Sequence, residues 1–103
     1  MLDKVLSLLG LAAKAGKVQS GEFAAEKAVK EEKAFLVIIA KDASENTKKH
    51  FRDMCSYRSI PIFEYGTKET LGRCIGKELR SSIALTDRGF SDGLKTKLQE
   101  EKI

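Results

Sequence analysis

A chain of 103 residues, 42% of them hydrophobic, suits one small folded domain spanning residues 1–103 and excludes a disordered or multidomain protein. Nineteen basic residues against fifteen acidic ones leave a net charge of +4, which favours a polyanionic partner over a pocket for acidic-residue chemistry. Two separated cysteines, Cys55 and Cys74, and one histidine, His50, exclude a Cys/His metal cluster and predict reduced thiols in a cytosolic protein.

The first predicted element is an amphipathic helix. Leu2, Val5, Leu6, Leu9, Ala12 and Ala13 recur at spacings of three and four. Asp3 and Lys4 interrupt the apolar run and no small-residue cleavage site follows, so it does not read as a secretory signal. No stretch approaches the roughly 20 apolar residues that span a bilayer, so no membrane partner is expected. Gly16 ends the helix, because glycine accepts the left-handed geometry beyond a helix terminus. A short strand over Lys17–Gln19 fits between this stop and the next helix.

The stretch "VQSGEFAAEK" then starts a second helix, from about Gly21 to Glu32, with Ser20 as the expected N-cap and Glu22 suited to the positive helix end. Lys14 and Lys17 precede this start, and Lys27 and Lys30 follow it. Phe23, Ala24, Lys27 and Ala28 share one side, and that spacing predicts an inward face with Lys27 at its edge. An outward Phe23 would instead offer a ring on which an unpaired base can stack.

"AFLVIIA" (34–40) is an unbroken run of strand formers, the pattern of a strand covered on both faces. "KDASENTKK" comes directly after it, with Asp42 and Glu45 spaced as a capping box and Ser44 as a competing cap. The third helix runs to about Tyr57, with Thr47, Phe51, Met54 and Cys55 inward and Lys48, Lys49 and Arg52 solvated. His50 lies on its polar side, within reach of Asp53 or Asp42, and has no nucleophile to serve. "IPIFEY" is a shorter strand with Pro61 at its start. "TKETLGRCIGK" is a short helix capped by Thr67 and stopped at Gly76. "SIALTD" is the last strand, Asp87–Phe90 a turn, and Ser91 onward a terminal helix. Strands separated by helices predict an α/β sheet, largely parallel and covered on both faces.

Catalytic signatures are missing from this pattern. There is no phosphate-binding glycine loop and no dinucleotide fingerprint. Asp42 follows a buried strand as a receiver phosphoacceptor would, but no acidic pair gathers with it to hold a magnesium ion. The expectation is a protein that is not an enzyme and needs no cofactor and no metal.

Four blocks in order, "GLAAKAGKVQSGEFAAEKAVK", "AFLVIIAKDASENTKKHF", "SIPIFEYGTKETLGRCIGK" and "IALTDRGF", resemble the ribosomal protein L-seven-Ae and L-thirty-e superfamily, and among it the small bacterial YlxQ-like members. The resemblance runs from about Leu9 to Phe90. It implies a three-layer α/β/α sandwich with a four-stranded mixed sheet. It also implies a cytoplasmic, non-catalytic protein that binds structured RNA, whether ribosomal RNA on the ribosome or kink-turn-like RNA. The implied RNA surface is the second helix start (Gly21, Glu22, Phe23, Lys27), the end of the strand behind it (Lys41) and a loop before the last strand (Arg80, Ser81, Ser82, Ile83, Ala84). Lys68 and Arg73 belong to the next matching motif. Lys14 and Lys17 are added by physical reasoning, as cations able to neutralise phosphates near that helix start. Kink-turn readers of the family carry Gly-x-Asn-Glu there, whereas this chain places Phe23 and Ala24 at the Asn and Glu positions. Gly21 and Lys27, which serve backbone approach and phosphate contact, are kept. The rival reading is a protein-interaction adaptor on the same fold.

Overall fold

The computed structural model describes residues 3–100, so Leu2, expected on the first helix, lies outside the described residues. Helix α1 (Lys4–Lys14) is started by Asp3, whose carboxylate accepts the Leu6 N–H at 2.9 Å and the Tyr65 hydroxyl at 2.6 Å. Gly16, at φ +75°, turns the chain as expected and leads into strand β1 (Val18–Ser20). Then come α2 (Glu22–Lys30), β2 (Leu36–Ile39), α3 (Glu45–Tyr57), β3 (Ile62–Glu64), α4 (Lys68–Cys74), β4 (Ser82–Leu85) and α5 (Arg88–Glu100).

The four strands form one sheet in the order β1-β4-β2-β3. Helices α2 and α3 pack together in one layer, and α1 packs with α4 and α5 in the other. This is the three-layer α/β/α sandwich. All four residues of β2 and of β4 are buried, the consequence of helices on both faces. Phe51, Leu9, Leu36, Ile38, Ile83, Leu71 and Leu94 fill the core on either side.

The expectation of a largely parallel sheet is corrected. Only the β2–β3 pairing is parallel, because β4 runs against β1 and β2 and lies between them. The cause is the brevity of α4. Its seven residues carry the chain only about 10 Å at 1.5 Å per residue, and a loop over 76–81 then doubles back. The Arg80 N–H reaches the Lys68 carbonyl at 3.0 Å, beside the start of α4. The last strand therefore enters from the end at which β3 left, and must run the other way.

Smaller expectations shift with equally local causes. Ser44, not Asp42, caps α3 by accepting the Thr47 N–H at 3.1 Å. Asp42 instead accepts the Lys68 N–H at 2.8 Å, and so joins the starts of α3 and α4. Thr67 and Thr70 form a reciprocal capping box on α4. Lys48 is not solvated, since its side chain is only 12% exposed between Glu64 (3.3 Å) and Glu45 (3.5 Å). Arg52 also pairs with Glu64. Burial works against a charge on Glu64, but the hydrogen bonds from Lys48 and Arg52 outweigh it and hold its pKa below the ordinary 4.5. The expected turn at Asp87–Phe90 is already the first turn of α5, because the Asp87 carboxylate accepts the Phe90 N–H at 2.9 Å. The inward set of α3, Thr47, Phe51, Met54 and Cys55, is buried as expected.

Candidate nucleic-acid interface

One end of the sheet gathers most of the expected contact residues. Ser20 pairs with Ile83, Ile39 pairs with both Ser82 and Glu64, and so β1, β2 and β3 all finish where β4 begins. The loops that leave them carry Gly21, Lys41 and Gly66–Lys68. Backbone bonds tie these together, from Gly21 N–H to the Ser82 carbonyl (3.0 Å) and from Lys41 N–H to the Gly66 carbonyl (2.8 Å).

Gly21 sits at φ +94° and ψ 153°, a conformation open to glycine and strained for any other residue. It is the N-cap of α2 and offers no side chain to the first turn. Ser20, the expected cap, is the last residue of β1, and its hydroxyl accepts Nε–H of Arg80 at 3.3 Å. The first N–H groups of α2 are thus left for water or for an anion, and they carry the positive end of the helix dipole. Glu22 is exposed next to them, and its carboxylate lies 3.5 Å from the Thr47 hydroxyl.

The inner face of α2 is Ala25, Ala28 and Val29, one residue round from the expected stripe. Phe23 is consequently 82% exposed, with Lys27 on the same side one turn further on. Phe23, Ala24, Lys27 and Gln19 line a shallow groove of about 380 Å³. Opposite Gly21, Arg80 is held in place by Ser20 and by its own bond to the Leu79 carbonyl at 2.8 Å, while Leu79 is 60% exposed.

The loop that presents Leu79 and Arg80 lies flat on α4. A Cβ on Gly72 would stand 1.3 Å from the Glu78 carbonyl oxygen, so only glycine fits there. The Lys77 N–H donates to the Gly72 carbonyl at 2.8 Å and fastens the loop further.

The structure therefore brings Gly21, Glu22, Phe23, Lys41, Lys68, Arg80 and Ser81 to one end of the molecule, with Lys27 along the adjoining helix face. It does not bring Lys14 or Lys17 there. The Lys17 carbonyl accepts the Thr86 N–H at the far end of β1, about 13 Å from Gly21 at 3.3 Å per residue. Lys14 closes α1 on that same far side. Arg73 reaches back to Glu69 at 3.5 Å in the last turn of α4. Ser82, Ile83 and Ala84 are buried strand residues rather than loop residues, and Ser82 contributes its carbonyl to Gly21. Leu79 was missed by sequence reasoning. Its signal was an apolar residue inside "GKELRS", where neither helical nor strand periodicity could bury it.

His50 pairs with Glu26, not with Asp53 or Asp42, at 2.6 Å. Hydrogen bonds from Lys30 and then His50 hold the Glu26 carboxyl below its ordinary pKa. Burial pushes both thiols, Cys55 and Cys74, up to about 11, so neither is a nucleophile at neutral pH. Among the described residues no group of three His, Cys, Asp or Glu could hold a metal ion, and no helix is long and apolar enough to cross a membrane.

The sequence matches the Ribosomal protein L7Ae/L30e/S12e/Gadd45 family over residues 3–95. The chain belongs to this family. The RNA-binding protein YlxQ of Bacillus subtilis (strain 168) is 45% identical over 87 residues, covering 84% of this chain and 87% of its own. The large ribosomal subunit protein eL8 of Cenarchaeum symbiosum (strain A) is 28% identical over 90 residues, covering 86% of this chain and 71% of its own. A solved structure of a Bacillus halodurans C protein of unknown function superposes with a TM-score of 0.90 at 43% identity, over 93% of this chain and 97% of that one. The superposition shows that the overall fold is shared with the Bacillus halodurans C protein.

Proposed function

We propose that this protein is a cytoplasmic, non-catalytic RNA-binding protein. It recognises structured RNA, ribosomal or kink-turn-like, through the start of α2 and the loops beside it. The observation that carries the reading is the α2 start itself: a left-handed Gly21, no side-chain cap, and Phe23, Lys41, Lys68, Arg80 and Leu79 around it. Free N–H groups and cations suit phosphates, which position an RNA without reading its sequence. Exposed Phe23 and Leu79 suit unstacked bases, which only bent or looped RNA presents. The name of the Bacillus subtilis relative supports RNA as the partner, and that of the archaeal relative supports ribosomal RNA. Without the Asn-Glu pair, edges of sheared G·A pairs are not read by side chains at positions 23 and 24. Shape and backbone select the RNA instead.

The test is a titration against fluorescent kink-turn RNA and a matched straight duplex at two salt concentrations. Kink-turn RNA is expected to bind more tightly, and affinity is expected to fall steeply with salt. Lys27→Glu should weaken binding with little change in stability, because Lys27 is exposed and forms no ion pair among the described residues. Equal binding to both RNAs would assign the face to another RNA. Binding to neither would move this face to a protein partner.

A further inference from the structure

The opposite end of the sheet holds a second group of cations and rings that the first interface does not use. There the chain enters β2, leaves β4 and closes α3. Leu36, Arg58, Pro61, Arg88, Ser91 and Lys95 wall a cleft of about 320 Å³, within the size range of small-ligand sites. Three of its residues are cationic, Arg58, Arg88 and Lys95, against one carboxylate, Asp92. None of the three cations forms an ion pair with a carboxylate among the described residues.

Two guanidinium–aromatic stacks flank the cleft. Arg88 lies over the Phe35 ring with its central carbon 5.1 Å from the centroid, and Arg58 lies over the Tyr57 ring at 5.4 Å. Tyr57 is 85% exposed, so the ring surface left by Arg58 is open to solvent. Nothing in the packing of the domain uses it. Ser91, 3% exposed, forms part of the cleft wall, with its hydroxyl closed off from solvent. The start of α5 contributes less, since Asp87 already occupies the Phe90 N–H.

We propose that this cleft binds the phosphodiester backbone of a second RNA segment, with a base stacked on Tyr57. Cations without carboxylate partners next to the open face of Tyr57 match a phosphate followed by a base, the repeating pattern of a single strand. The protein would then hold two RNA segments at opposite ends of its sheet. This rests on the RNA-binding reading of the first face.

The probe is a fluorescein-labelled single-stranded uridine dodecamer, titrated into protein alone and into protein saturated with a structured RNA carrying a second dye. The expected result is a second equivalent of dodecamer that binds without displacing the structured RNA. Arg88→Glu with Lys95→Glu, both exposed positions, should weaken it at least tenfold and leave structured-RNA affinity within about twofold. Neutralising the same two positions with glutamine should reduce the slope of log affinity against log salt by about 1.4, at about 0.7 per phosphate on a single strand. Tyr57→Phe, which keeps the ring, should bind as the wild type does, and Tyr57→Ala should not. Displacement of the structured RNA, or dodecamer binding unchanged by the double reversal, overturns the second site and leaves the first intact. Structured RNA that binds with no dodecamer uptake overturns it equally. If neither RNA binds, the reading of the first face fails as well. Capture of an acidic peptide in place of the dodecamer would overturn the RNA assignment in favour of a protein ligand.

Discussion

Replacing Gly72 by alanine tests whether the loop over 76–81 belongs to the interface. The new Cβ would sit 1.3 Å from the Glu78 carbonyl oxygen. An ordinary contact needs about 3.5 Å, so the loop backbone must retreat by roughly 2 Å. It is pinned on both sides, by Lys77 N–H to the Gly72 carbonyl and Arg80 N–H to the Lys68 carbonyl, so retreat strains or breaks these bonds. Overpacking of this kind costs about 1–3 kcal/mol. Alanine's better helix propensity returns up to about 1 kcal/mol. The expected net loss is about 0–3 kcal/mol, at roughly 4–8 °C in Tm per kcal/mol for a domain of this size. RNA affinity should fall more than tenfold, because Leu79 and Arg80 move with the loop. Urea unfolding gives the first quantity, and a titration at a temperature where both proteins are folded gives the second. Gly16→Ala is the control. Its φ of +75° makes alanine cost about 1–2 kcal/mol at a site remote from the interface, with RNA affinity unchanged. Wild-type stability together with wild-type affinity in Gly72→Ala would refute the role given to the loop.

Three further outcomes are expected. Phe23→Ala should change stability by less than about 0.5 kcal/mol, since the ring is 82% exposed, yet weaken RNA binding by about 1–3 kcal/mol; a loss of stability without a loss of affinity would return the ring to the core. Ser82→Ala should be neutral or stabilising, because the Ser82 hydroxyl is buried without a partner among the described residues, and a urea midpoint lowered by more than about 1 kcal/mol equivalent would show a bond that the structure does not contain. Glu64→Gln should reshape the acid limb of stability. The folded pKa of Glu64 is lowered, so its contribution is complete above the ordinary 4.5 and is lost as pH falls through the folded value. The variant should be less stable at pH 7, with the gap closing below pH 4.5; a gap constant down to pH 3 would remove Glu64 from the linkage.

The elements were legible because their signals are local. The buried run before Lys41 reads as a covered strand, Gly16 and Gly76 read as helix stops, and both adopt the left-handed geometry. Strand direction was not legible, since it depends on where a seven-residue helix and its return loop deposit the chain. Lys48 was misread for the same kind of reason. Its burial follows from Glu64, sixteen residues away on the neighbouring edge strand. Lys14 and Lys17 are close to Gly21 in sequence, but an extended strand separates neighbours faster than any other structure. Three residues of β1 are enough to place them at the opposite end of the strand from Gly21.

The misreading of α2 has a different origin, and it bears on function. Periodicity assigns the largest apolar residue of a helix to the core, and in this nine-residue helix that residue is Phe23. Here Ala25, Ala28 and Val29 face inward instead. Small side chains let the helix lie close to β1 and β4, and they close that side without an aromatic ring. Gly21 makes this rotation accessible, because its φ of +94° brings the chain off β1 and into the helix at an angle a capping serine would not adopt. The same glycine that leaves the first N–H groups uncapped thus turns Phe23 outward beside them. Phe23 is left 82% exposed at the positive end of the helix. On the proposed function, a partner that presents a phosphate to the N–H groups and a flat apolar surface to the ring would account for both at once, and an unstacked nucleotide is such a partner.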